Sequence, residues 1–192
     1  LILANSLLTT ITATYDLGGQ EAVIGASIGI AVAEDGDSEA GQLLKRADIA
    51  LYKVKSEGRD GVCFFDGALE REAHSRAQLV IDLWKAMQRG EFELYYQPIV
   101  DLSTGAVCCM EALVRWRHPV RGLVLPGDFI AVAEESGAIT VLGDWILRNA
   151  CAEAACWPPH VKVSVNLSPA QFRKGGLVDA VTGALTDSRL PA

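Results

Sequence analysis

Glu111-Ala112-Leu113-Val114-Arg115-Trp116 lies inside a run from Ala106 to Arg117 that reads as one β-strand. Side chains alternate faces along a strand, so Glu111, Leu113 and Arg115 share one face and Ala112, Val114 and Trp116 the other. A strand rises ~3.3 Å per residue, which sets Glu111 and Arg115 ~13 Å apart along one side. That separation suits a carboxylate holding a metal and a guanidinium reaching a distant phosphate oxygen. A lone Glu and Arg on a strand is more usually a solvated face or a salt bridge.

On one side of this strand, Phe92 to Leu102 forms another, containing Tyr96-Gln97-Pro98-Ile99-Val100, with Ser103-Thr104-Gly105 as the intervening turn. On the other side, Pro126 opens a helix that runs through Ser136, as expected of Pro at a first helical position. A second helix spans Thr140 to Trp157 and stops at Pro158-Pro159. A third strand, His160 to Asn166, places Val161, Val163 and Val165 on one face and Lys162, Ser164 and Asn166 on the other. Asn166 offers an amide oxygen, a hard ligand suited to Mg²⁺ or Mn²⁺ rather than zinc. Asn-Leu-Ser-Pro also reads as a turn or a cap. A further helix is expected over Leu177 to Thr186.

The first third of the chain has its own pattern. Residues 1 to 14 read as the end of a helix, Gly18-Gly19 as a break, and Ala22 to Ala33 as a buried strand. A turn is expected at Gly36, then a helix from Ser38 to Glu57 with Leu43, Leu44, Ala47, Ala50, Leu51 and Val54 on its apolar face, ended by Gly58. Val62 to Phe65 is a short strand. Residues 68 to 89 form a connecting helix with Val80, Leu83, Trp84 and Met87 at helical spacing, ending at Gly90. Lys55 and Arg59 are four apart, so one helical face could present both.

The length of 192 residues allows one or two domains, and the apolar content of 50% is ample for a packed core. A formal net charge of −7 lacks the electrostatic footprint of a DNA or RNA binder, yet leaves room for a small phosphate ligand held by a few placed cations. No apolar run approaches the ~20 residues of a membrane span. The chain opens on Leu1 rather than Met, so further sequence is expected upstream, with room for a membrane anchor. The five cysteines, Cys63, Cys108, Cys109, Cys151 and Cys156, match no zinc spacing and read as small buried hydrophobes in a reducing compartment. His74, His118 and His160 show no ligand spacing. Trp84, Trp145 and Trp157 read as packing residues.

Tyr96 to Val100, Glu111 to Trp116 and Ser164-Val165-Asn166-Leu167-Ser168 together resemble the first part of an EAL domain, a cyclic-di-GMP phosphodiesterase module. Ala26 to Ala31, Arg46-Ala47-Asp48-Ile49-Ala50-Leu51-Tyr52, Lys55 and Gly58-Arg59 resemble the C-terminal part of a GGDEF domain, the diguanylate cyclase module. The resemblance implies an α/β chain: a partial GGDEF sandwich over residues 1–66, a connector at 67–77 that starts the linking helix, and the first part of an EAL (β/α)8-type barrel over 78–192. A complete barrel of this kind takes ~250 residues, so only about three of its eight strands are expected.

By resemblance, Glu111 and Asn166 are the catalytic metal ligands, for Mg²⁺ or Mn²⁺, and Asn166 sits at a strand's C-terminal end, where barrel enzymes place their sites. Arg115 contacts the substrate phosphate and Gln97 lines the ligand pocket. The implied reaction is hydrolysis of cyclic-di-GMP to linear pGpG, with later strands supplying further ligands, so the chain alone is expected to be inactive. Lys55 and Arg59 match positions that contact GTP in the GGDEF family. Two departures stand out there: Val54 where Ala is usual, and Asp60 where Asn is usual. Glu134 and Glu135 resemble the family's Ala-Glu-Glu segment and also fit a solvated helix face. The resemblance further implies a cytoplasmic location and a homodimer in the full-length protein. Two alternatives stand beside the phosphodiesterase: a sensor that binds cyclic-di-GMP without cleaving it, and a parent that is chiefly a cyclase.

Overall fold

The computed structural model describes residues 1–33 and 39–191. The turn expected at Gly36 and the helix start expected at Ser38 fall outside the described residues. The chain is mixed α/β and divides into two compact units, Leu1–Ala77 and Gln78–Ala192.

In the first unit, α1 (Ile2–Ile11) leads into a small antiparallel hairpin of β1 (Tyr15–Asp16) and β2 (Glu21–Ala22) around Gly18-Gly19. Next, β3 (Ser27–Ile30) pairs in parallel with β4 (Gly61–Phe64), and α2 (Ala40–Ser56) makes the crossover between them. The helix presses so closely on β3 that a Cβ at Gly29 would lie 2.2 Å from the Ala47 carbonyl oxygen and 2.3 Å from the Leu51 nitrogen. The strand expected over Ala22–Ala33 is shorter than its apolar run: β2 ends at Ala22, β3 spans only Ser27–Ile30, and Val23 and Ile24 between them are exposed. Buried apolar residues here are few: Ala4, Ala50 and Val54. Leu44, expected on the apolar face of α2, is exposed.

A single helix, α3 (Gly67–Arg89), runs across the boundary between the units. Its second-unit part buries Leu79, Leu83 and Ala86, with Val80 and Met87 partly buried beside them. Trp84, expected among the packing residues, is 41% exposed. Three further strands follow: β5 (Phe92–Val100), β6 (Val107–His118) and the short β7 (Gly122–Val124). Then come α4 (Pro126–Glu135), α5 (Ala138–Ala154), β8 (Lys162–Val165), α6 (Pro169–Lys174) and α7 (Leu177–Ser188).

Strand β6 is the centre of this sheet. It pairs antiparallel with β5 and β7 and parallel with β8. The antiparallel step from β5 to β6 departs from an all-parallel barrel, because the connection at 101–106 is far shorter than the dozen or so residues a parallel crossover needs. Asp101 closes that turn: its Oδ1 accepts from the Ser103 and Thr104 amides, and its backbone oxygen accepts from the Gly105 amide.

The even face of β6 builds the core. Ala112, Val114, Trp116 and His118 are all buried, and Val114 and Trp116 join Phe92, Phe129, Ala133, Ile139, Leu142 and Ile146 in one core cluster. Trp116 has no exposed surface; its ring meets Phe129 edge-on at 5.7 Å, and its Nε1 donates to Glu91 Oε2 at 3.0 Å. Truncating such a residue costs about 3–5 kcal/mol. His118 is a satisfied core histidine. Its Nδ1 accepts the Val120 and Arg121 amides, which leaves Nε2 facing Asp82 Oδ2 at 3.5 Å. Burial pulls the Asp82 carboxyl upward, but hydrogen bonds from Gln78 and His118 hold it below the usual carboxylate value.

All five cysteines are free. Only Cys151 is buried, and burial pushes its thiol pKa up. Cys108 and Cys156 are exposed, contrary to the expectation of small buried residues: Cys108 is skipped at the register shift where Ile99 pairs with Cys109 and Val100 with Val107, and Cys156 lies past the end of α5. Among the described residues, no helix is long and apolar enough to cross a membrane.

Candidate functional site

The odd face of β6 carries Glu111, Leu113, Arg115 and Arg117, opposite the core side. The register aligns this face with its neighbours. Gln97 of β5 stands beside Glu111, and Ser164 of β8 stands on Glu111's other side. Pairs directly opposite in an antiparallel ladder share a face at Cβ separations of about 4.5–5.5 Å. Gln97, Glu111 and Ser164 thus form a row across three strands.

Asn166 follows β8 by one residue and leans back onto this row. Its Nδ2 donates to Glu111 Oε1 at 2.6 Å, a charge-assisted hydrogen bond between residues 55 apart in sequence. Glu111 is half-buried and Asn166 exposed, so the pair sits at the surface of the sheet with an open side. The contact depends on the parallel pairing of β6 with β8, which no local pattern announces.

Arg115 lies four residues along β6 from Glu111, half-buried. Its Nη1 donates to the Val114 carbonyl at 2.9 Å, and its guanidinium rests 5.5 Å from the Tyr95 ring centroid. Glu93 is its register partner, yet the Glu93 carboxylate pairs instead with Arg117 at 2.7 Å. Arg117 also donates to the Tyr95 hydroxyl at 3.2 Å. Among the described residues Arg115 therefore makes no ion pair, and its charge stays available to an anion. Glu93 Oε1 is a buried oxygen with no hydrogen-bond partner among the described residues.

Behind Asn166 the chain is tightly held. Ser168 is the N-cap of α6 and forms a capping box with Gln171: its Oγ accepts the Ala170 amide at 3.1 Å, and Gln171 Oε1 accepts the Ser168 amide at 3.0 Å. Gln171 is buried against α5 at Gly143, where a Cβ would lie 2.2 Å from its Nε2. The Ser168 hydroxyl donates to Glu134 Oε1 at 2.5 Å. Glu134 is half-buried and turned inward, whereas its neighbour Glu135 is exposed. An apolar cavity of about 220 Å³, lined by Ile130, Ile139 and Ile146 among others, adjoins Glu134, Asn166 and Ser168. Sequence reasoning passed over Gln171 and Tyr95, and quoted Ser168 only as part of a motif, without a role. The Ser168-Pro169-Ala170-Gln171 spacing was a capping-box signal that could have found Ser168 and Gln171.

The pair in the first unit is arranged differently from expectation. Lys55 is exposed in the last turn of α2, but that helix ends at Ser56. Gly58, Arg59 and Asp60 then follow with φ of +113°, +68° and +53°, so Lys55 and Arg59 do not share a helical face. A glycine past the last helical residue readily turns the chain into positive φ, and the backbone leaves the helix axis before Arg59 is reached. Asp60 folds back toward Gly25, where a Cβ would lie 1.9 Å from its Oδ1.

Among the described residues, no three His, Cys, Asp or Glu side chains gather as a metal cluster. Glu111 and Asn166 nonetheless supply a carboxylate and an amide in contact. Two oxygens sharing an octahedral Mg²⁺ at ~2.1 Å stand ~2.9 Å apart. In this contact the amide nitrogen faces Glu111 at 2.6 Å; the same amide turned by 180° would set Oδ1 there, on that scale and of the hard oxygen type such an ion takes. The pair fits part of a Mg²⁺ or Mn²⁺ ligand set.

Family models match both parts of the chain: the diguanylate cyclase GGDEF domain over residues 2–61 and the EAL domain over residues 81–192. An uncharacterized protein, y4lL of Sinorhizobium fredii, is 43% identical over 191 residues, covering all of this chain and 23% of its own length. The bifunctional diguanylate cyclase/cyclic di-GMP phosphodiesterase MucR of Pseudomonas aeruginosa is 40% identical over 187 residues, covering 95% of this chain and 27% of its own. The chain thus spans about a quarter of the length of these relatives. The solved PaMucR phosphodiesterase in complex with c-di-GMP superposes with a TM-score of 0.57 at 41% identity, over 59% of this chain and 47% of that one. With its sheet, its helix order and these matches in agreement, the chain belongs to the EAL domain family, its EAL portion preceded by a GGDEF segment.

Proposed function

We propose that this chain supplies the first strands of a cyclic-di-GMP phosphodiesterase centre, and that the full-length protein hydrolyses one phosphodiester of the cyclic dinucleotide to linear pGpG. The observation that carries the reading is the contact of Asn166 with Glu111 on a sheet face that also presents Gln97 and an Arg115 without an ion pair among the described residues. The relatives support it, since one is named as a cyclic di-GMP phosphodiesterase and one solved neighbour is a phosphodiesterase complexed with c-di-GMP.

In this reading Glu111 and Asn166 hold a Mg²⁺ or Mn²⁺ ion, which when bound supplies positive charge against the phosphate and acidifies a water at the site. Arg115 takes a phosphate oxygen. It makes no ion pair among the described residues, and its guanidinium is seated over Tyr95 on the face that carries Glu111. Gln97, level with Glu111, offers amide hydrogen bonds to the ligand. Further ligands come from strands beyond this chain, so residues 1–192 alone are inactive. In the first unit Lys55 and Arg59 approach GTP phosphates from the helix end and from the turn after it, and the GGDEF segment regulates the EAL portion within a homodimer.

The test is incubation of the purified full-length protein with cyclic-di-GMP and either Mg²⁺ or Mn²⁺. Formation of pGpG that stops on removal of the metal, and in a Glu111→Ala variant, supports the reading. Absence of linear product with both metals, while cyclic-di-GMP still binds, replaces it with the sensor.

A further inference from the structure

We propose that Glu134 is a positioning residue for the Asn166 ligand, acting through Ser168. This rests on the reading of Glu111 and Asn166 as metal ligands. Asn166 has no secondary structure of its own: β8 ends at Val165, and α6 begins at Pro169. Its side chain can meet Glu111 reproducibly only if the three residues between strand and helix are fixed. The capping box fixes the far end of that link, and its Ser168 does two things at once. The Oγ lone pair accepts the Ala170 amide, and the Oγ proton goes to Glu134.

Glu134 is the one contact in this set that comes from α4, an element anchored in the core by Phe129, Val132 and Ala133. A carboxylate can only accept, so it sets the direction in which the hydroxyl points. Hydrogen bonds to an ionised acceptor are the stronger kind. The bond therefore clamps the Asn166–Ser168 link to the rigid body of the unit rather than to its own short helix. The neighbouring cavity is lined mostly by apolar side chains, so a Ser168 hydroxyl released from Glu134 finds few substitute acceptors on that side. Outer-shell partners of this kind typically change metal affinity about 10–100-fold when removed.

The test uses the full-length protein in metal-free form. Mn²⁺ affinity is measured by titration calorimetry, with melting temperature and the kcat and KM for cyclic-di-GMP recorded in parallel. Glu134→Met keeps the length of the side chain and suits the apolar surroundings while deleting the acceptor. Glu134→Gln keeps an acceptor oxygen. Asn166→Ala serves as the reference for the ligand itself. The expected result is a Mn²⁺ affinity about 10-fold or more weaker in Glu134→Met, restored to within about 3-fold in Glu134→Gln, with kcat falling more than KM rises. A lower melting temperature with unchanged Mn²⁺ affinity in Glu134→Met overturns the proposal and leaves Glu134 a structural residue. If Asn166→Ala itself leaves Mn²⁺ affinity unchanged, the ligand assignment fails, and the role of Glu134 toward it falls with it.

Discussion

Replacing Gly143 with alanine sets two opposing effects against each other. In the interior of an exposed helix, Gly→Ala gains about 1 kcal/mol from propensity. At position 143 of α5 the new Cβ would lie 2.2 Å from Gln171 Nε2 and 2.7 Å from its Cδ, so a buried side chain must move by more than an ångström. Overpacking of this kind costs about 1–3 kcal/mol. The displaced Gln171 also abandons the Ser168 amide, and an unpaired buried donor costs about 1–3 kcal/mol more. The net expectation is a destabilisation of roughly 1–5 kcal/mol. Urea unfolding of the full-length protein measures this, and hydrogen exchange across residues 166–174 should show lost protection at the start of α6. A variant as stable as the parent, with α6 protected, would mean that Gln171 is not wedged against α5, and the account of how the Asn166 link is held would be wrong.

Three other outcomes follow from the same structure. Glu111→Ala should abolish turnover, and Arg115→Ala should lower kcat/KM by about 2–4 kcal/mol; near-native kcat in Glu111→Ala would end the ligand assignment. Residues 1–192 expressed alone should aggregate or melt without a cooperative transition, because β8 pairs only with β6 among the described strands and Tyr95, Ile99 and Val100 are exposed on β5. A monomer with a sharp two-state melt would refute this. Burial pushes the Tyr96 phenol up to about 12, with the negative fields of Glu153 and Cys151 adding to it. A folded-state value above the unfolded one, ~10, contributes stability in full below pH ~10 and loses it as pH rises through about 12. Tyr96→Phe should remove that loss, and a phenol that titrates near 10 in the folded protein would contradict it.

The second unit was readable because its signals are periodic. The alternation from Val107 to His118 separates a core face from a site face, and Pro126 and Pro158-Pro159 bracket the two helices between β6 and β8. Elements of two or three residues, β1, β2 and β7, are too short to show a period, and the hydrogen bonds that define them lie in their partners. Burial on a helix depends on what the neighbouring element covers, so Leu44 and Trp84 had the right spacing and still face outward. Spacing likewise misled at Arg59, where positive φ after Gly58 breaks the helix that a four-residue interval presumes. At the site, alternation placed Glu111 and Arg115 on one face. Their roles, and those of Asn166 and Gln97, came from the family resemblance, since the 55-residue contact between Glu111 and Asn166 leaves no local trace. The Glu134–Ser168 clamp is long-range in the same way, and only the capping box within it had a sequence signature.

The pairing of β8 with β6 spans only four residues, Lys162 to Val165 against Cys109 to Ala112. Slipping a strand by one residue turns every side chain to the opposite face. Here a slip would bring Val163 and Val165 up beside Glu111 and drive Lys162, Ser164 and Asn166 toward the apolar surface of α5 and α7, where Val165 now packs. Burying an ammonium and an amide without partners costs several kcal/mol, enough to reject the slipped chain outright. The alternation that sets an amide beside a carboxylate is therefore also a proofreading device. A molecule that has folded in this sheet at all has already put Asn166 on the same side as Glu111.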